Sequence, residues 1–167
     1  MSHRDRTYVI FDGDHDIWAY GYMKGWKAND RVDFDFVDAH DLAPLTARAE
    51  NETYIKNRLR ERLEKSTQVV VLIGENTRNL YKFVRWEIEL ALALDLPIVA
   101  VNLNGQRRLD EDRCPPLLRP ADAVHVSFNL AIIRQALDHF PTERQARRRG
   151  EGGPRHFGED VYSRLGL

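Results

Sequence analysis

Residues 68–102 read QVVVLIGENTRNLYKFVRWEIELALALDLPIVAVN, and their order of apolar patterns decides the fold. Gln68 to Gly74 is a continuous aliphatic run, which suits a central parallel strand covered on both faces. From Phe83 the apolar residues recur at helical spacing, and Pro97 to Asn102 returns to a buried-strand pattern, punctuated by the turn signal Asn104-Gly105. A strand, a helix and a second strand in so short a stretch make a crossover unit, because parallel strands cannot be joined by a tight turn.

The same alternation extends outward. Toward the N-terminus, Tyr8-Val9-Ile10-Phe11 is a β-rich run that ends in the turn-prone Asp12-Gly13-Asp14, and a helical stretch follows from about Ile17 to Trp26. Phe34 and Phe36 alternate with acids into Val37-Asp38 and predict a second strand. Glu52 to Lys65 carries Ile55, Leu59 and Leu63 at i, i+4 and i+8. The Glu52/Lys56 and Glu61/Lys65 pairs of this helix mark a solvated face. Beyond the charged, proline-rich stretch from Gln106 to Pro120, Ala123 to Val126 predicts a last strand. Asn129 can cap a helix that carries Ile132, Ile133, Ala136, Leu137 and Phe140. The expected architecture is an α/β, flavodoxin-like three-layer sandwich around a five-stranded, mainly parallel sheet. Its sites form at the carboxyl ends of the strands, which places Asp12 to Asp16, Asp38 to Asp41 and Gly74 to Thr77 on the rim. One domain is expected over 1–140. The segment 141–167, with RQARRRGEGGPRH, combines glycine with like charge and is expected to be a basic, flexible tail.

A chain of 167 residues that is 43% hydrophobic can bury one real core. Its 25 basic and 26 acidic residues nearly cancel, which argues against a global field that would draw it to nucleic acid or an anionic membrane. MSHRDRTYVIFDGD lacks the apolar stretch of a secretory signal, and no run approaches membrane-spanning length, so a cytoplasmic protein is expected. The single Cys114 has no disulfide partner. His3, His15, His40, His125, His139 and His156 lack the spacing of a zinc site, and no metal is expected.

Glu87 is the residue this pattern does not explain. On a helix turning about 100° per residue, Phe83, Val84, Ile88, Leu90, Ala91 and Leu94 share one broad face and Glu87 falls inside it. Glu89 points the other way, with Arg85 one turn back. A carboxylate among apolar neighbours meets a partner from elsewhere, rises in pKa, or lines a cleft. Its side chain leans toward the helix N-terminus and hence toward the strand-end rim.

VVVLIGENT, KFVRWEIELALAL and PIVAVNLNG together resemble the bacterial TIR-like family that includes the Thoeris anti-phage B proteins. The resemblance extends through YVIFDGD, Lys24-Gly25-Trp26 and Phe36-Val37-Asp38-Ala39, from about Tyr8 to Asn104. It implies that Glu87 is catalytic and that NAD⁺ is the substrate, cleaved between nicotinamide and ribose, with no further cofactor. It also implies an ADP-ribose-derived, cyclic signal for a separate effector protein, a phage-derived trigger and possible homo-oligomers. The same resemblance makes Phe11, Asp12, Gly13, Asp14, Trp26, Asp38 and Phe83 candidates to border the nucleotide. Read from the residues alone, Asp12-Gly13 is equally a turn, and Trp18, Trp26 and Trp86 are equally core. His40-Asp41 and Phe83 depart from the family pattern, which has a small residue then tryptophan at the first and commonly tryptophan at the second.

The same residues admit other readings. FDGDHD and DFDFVDAHD suggest a magnesium site of the receiver or phosphatase kind. Gly74-Glu75 offers no phospho-accepting aspartate, however, and His125-Val126-Ser127 offers no lysine. A nucleoside deoxyribosyltransferase shares the fold and the use of a glutamate at an anomeric carbon. A non-enzymatic interaction module of TIR-like type is the third alternative.

Overall fold

A computed structural model of the chain describes residues 6–37, 51–80, 82–147 and 150–167. Five strands, β1 (Thr7–Ile10), β2 (Gln68–Ile73), β3 (Ile98–Asn102), β4 (Ala123–Ser127) and β5 (Arg155–His156), lie side by side in that order. Every neighbouring pair is parallel. The helices are α1 (Ile17–Ala28), α2 (Glu52–Glu64), α3 (Phe83–Ala93), α4 (Leu130–Ala146) and α5 (Glu159–Arg164). This is the α/β, flavodoxin-like architecture that the alternating pattern predicts, and it agrees with the TIR-like fold that the resemblance implies.

The aliphatic runs are explained by burial on both faces. Alternate residues such as Val9, Val70, Leu72, Val99 and Val124 pack with Tyr20 and Met23 of α1 and Ile133 and Leu137 of α4. The intervening Tyr8, Ile10, Val69, Val71 and Ile98 pack with Val84, Ile88 and Ala91 of α3. Side chains alternate across a strand, so a strand buried on both sides reads as a nearly continuous apolar run. Helix α2 packs against α3 through Ile55, Leu59 and Trp86, and Asn51 caps it by accepting from the Thr53 and Tyr54 amides.

Two elements differ from the sequence expectation. Of the strand predicted from Phe34 into Val37-Asp38, the described residues form one bridge, between Val37 and Tyr8, and Asp38 lies outside them. The backbone groups of Phe36 are taken by side chains instead. The Phe36 amide donates to the Asp35 carboxylate at 2.8 Å, and Lys27 Nζ donates to the Phe36 carbonyl at 2.6 Å. Such local bonds compete with a strand ladder. The fifth strand comes from the other end of the chain.

That end corrects the second expectation, a flexible tail after Phe140. Helix α4 runs on through Pro141 to Ala146, β5 adds to the edge of β4, and α5 buries Tyr162 completely. Among the described residues, ion pairs fasten the segment to the rest of the fold. Arg144 and Arg147 both reach Asp122, at 3.4 and 2.7 Å. Arg107 bonds Glu159 at 2.6 Å and stacks on the Tyr162 ring. No helix among the described residues is long and apolar enough to cross a membrane.

Val37 lies against one side of β1 and β2 against the other, so the chain changes direction across the sheet at β1. Open α/β sheets bind ligands at the carboxyl ends of strands beside such a reversal.

Candidate active site

Helix α3 begins at Phe83, and the turn spacing brings Val84, Glu87, Ile88 and Ala91 onto its buried side while Arg85 and Glu89 pair outside at 2.8 Å. Glu87 is 3% exposed. Its Oε1 accepts a 2.7 Å hydrogen bond from the phenol of Tyr8, which rises from the middle of β1. The three outcomes left open for this carboxylate turn out to coexist. It has a partner from elsewhere, it lines a cleft, and burial pushes its pKa up to about 7, against the Tyr8 hydrogen bond and the field of Arg62.

The cleft holds about 630 Å³, within the usual range of a small-molecule site. The β1–α1 loop, Phe11 to Asp14, forms one rim. Leu59 and Arg62 of α2 form a wall, and Asn79, Leu80 and Lys82 lead into Phe83, Val84 and Glu87 of α3. The lining surface is chiefly apolar, with the two buried acids Asp12 and Glu87, the exposed Asp14 and the two cationic side chains Arg62 and Lys82.

Of the residues singled out from the sequence, Phe11, Asp12, Gly13, Asp14, Phe83 and Glu87 line this one cleft. Phe83 is 45% exposed and meets Trp86 edge-on. Asp12 is buried, and its carboxylate shapes the loop, accepting from the Asp14 amide at 3.0 Å and pairing with His15 Nδ1 at 2.7 Å. That bond favours the protonated imidazole and raises the pKa of His15. A side chain at Gly13 would enter open space, so the rim there is accessible to a ligand backbone-first.

Trp26 does not line the cleft. It packs on Phe34 and Phe128, in the core layer on the other side of the sheet from α3. Trp86 is wedged between α2 and α3, and Trp18 is an exposed residue of α1 beside Tyr22. Asp38, with His40 and Asp41, lies outside the described residues. Sequence reasoning did not find Tyr8, Arg62 or Lys82, because a tyrosine in an apolar strand and a cation on an amphipathic helix look ordinary until the elements are brought together.

A further buried acid, Asp16, joins the two rim loops. Asp16 precedes α1 but makes no side-chain cap. Its carboxylate lies over Gly74, where a β-carbon would overlap it, and contacts Thr77 Oγ1, which accepts from the Gly74 amide at 2.8 Å. Burial and the charge of Asp12 raise its pKa.

The family described as Thoeris protein ThsB, TIR-like domain, matches residues 8–108. The chain belongs to that family. It is thus a TIR-like protein of the Thoeris anti-phage defence type, and the match spans β1 to β3 together with every residue that lines the cleft. Helices α4 and α5 and strands β4 and β5 of this ThsB-type domain lie beyond the matched region.

Proposed function

We propose that this TIR-like domain cleaves NAD⁺ between nicotinamide and ribose and turns the ADP-ribose part into a cyclic signal for a separate effector protein. The observation that supports the reading is the Glu87 carboxylate on the floor of an apolar cleft at the strand-end rim. In the reaction the bond from the ribose anomeric carbon to the nicotinamide nitrogen breaks. Its electron pair leaves with the now neutral nicotinamide, and positive charge develops on the ribose. A carboxylate beside that ribose holds a hydroxyl and stabilises the oxocarbenium-like centre, as in glycosidases. Its effect is strengthened by a partly dry surrounding. Capture by water, with loss of a proton, gives ADP-ribose; capture by a nucleophile of the ADP-ribose itself gives the cyclic product. Arg62 and Lys82 line the same cleft and supply positive charge where the diphosphate would lie.

The test is nicotinamide release from NAD⁺ by the purified protein and by Glu87→Gln, each with and without lysate of phage-infected cells as trigger. The expected result is release by the unaltered protein and a loss of at least about a hundredfold in the variant. Equal turnover in the two sinks the reading. No release in any condition, with Glu87→Gln still protective against phage, selects the interaction-module alternative.

A further inference from the structure

Tyr8 is fully buried in β1, and its ring belongs to the apolar layer beneath α3. A phenylalanine would fill nearly the same space, so the hydroxyl is the part that packing does not require. It spans from sheet to helix and meets Glu87 Oε1 at 2.7 Å. Burial and the adjacent Glu87 charge hold the proton on the phenol and outweigh Arg62, which also reaches Tyr8 and favours the phenolate, so Tyr8 donates to Glu87. No other hydrogen bond from a described residue reaches Glu87.

We propose that Tyr8 is the positioning residue of this site: its phenol anchors Oε1 from the strand below and turns Oε2 toward a substrate ribose. The role rests on the NAD⁺-cleavage reading and adds to it the group that orients the carboxylate. Among the described residues, the charged and titratable groups around Glu87 are Tyr8 of β1 and Arg62 of α2, with Asp12 and Asp14 of the β1–α1 loop and Lys82 before α3 on the same cleft. Tyr8 and Arg62 favour the carboxylate, while burial opposes it. Without the phenol, Arg62 alone would counter burial, and the side chain would lose its tether.

The experiment titrates the glutamate carboxyl carbons by NMR in the unaltered protein and in Tyr8→Phe, with the Glu87 signal assigned by its disappearance in Glu87→Gln. The midpoint is expected to rise by about one unit or more in Tyr8→Phe, because a hydrogen bond to a charged group is lost. The pH profile of kcat/KM for nicotinamide release should move alkaline by the same amount. At the alkaline plateau kcat should fall about tenfold or more with KM within about twofold, the mark of lost orientation. An unshifted Glu87 midpoint in folded Tyr8→Phe overturns the proposal. Should that variant not fold, 3-fluorotyrosine incorporation keeps the shape and makes the phenol a stronger donor. The midpoint must then fall, and an unchanged one overturns the proposal equally. The titration needs no turnover, so failure of the enzyme reading would show as absent nicotinamide release and failure of the Tyr8 role as an unmoved midpoint.

Discussion

Glu87 and Tyr8 meet across a layer of Ile, Val and Ala side chains, and the carboxylate is held there at a cost that depends on pH. Its pKa in the fold, about 7, lies above the ordinary 4.5. The folded chain therefore binds this proton more tightly than the unfolded chain. Stability is lost as pH rises from about 4.5 through 7, and the loss is complete above that. Replacing Glu87 by the neutral, similarly shaped Gln removes this dependence. Urea denaturation should find Glu87→Gln more stable than the unaltered protein at pH 8, by up to about 3 kcal/mol, and nearly equal to it at pH 4. A gain of stability with loss of turnover is expected where a site is built against the stability of its scaffold. The misplacement of Glu87 was legible in the sequence, since helical spacing alone puts it among apolar residues and puts Glu89 with Arg85. Its partner was not legible, because 79 residues separate Tyr8 from Glu87.

At the scale of elements, the site depends on two loops held in register. The β1–α1 loop supplies Phe11 to Asp14, and its buried Asp16 rests over Gly74 at the end of β2. Gly74→Ala places a methyl against that carboxylate. The variant should lose about 1–3 kcal/mol of stability and show a raised KM, as the rim shifts with Asp16. Asp16→Ala in the same chain should restore part of the stability by vacating the space, a coupling that a double-mutant cycle measures. Strands β1 to β4, α2 and α3 were legible because each of these strands is a short apolar run and each helix repeats its apolar residues at helical spacing. The stretch predicted as a strand from Phe34 to Asp38 had the strand period, and yet its described residues form one bridge, since Asp35 and Lys27 claim the backbone groups of Phe36. Trp26 shows the complementary limit. Its position near the end of α1 was readable, but which side of the sheet α1 covers was not.

For the whole molecule, the last seventeen or so residues close the sheet. β5 covers the edge of β4, and α5 drives Tyr162 into the core layer shared by α1 and α4. Tyr162→Ala should cost about 3–5 kcal/mol, as for other buried aromatics, and be read as a large drop in Tm. Tyr162→Phe should cost far less, since its hydroxyl accepts only a 3.4 Å bond from the Ser127 amide. A flexible tail would make both substitutions silent. By itself, the sequence determined the parallel α/β layering and the presence of one acid on an apolar helix face, because both are written in the spacing of residues along a single element. Only the tertiary structure decided that a phenol from β1 receives that acid, that α2 brings Arg62 to it and that the basic C-terminal segment is an edge strand and a helix. Those outcomes depend on contacts between residues far apart in the chain, and such contacts leave no mark in local composition or period.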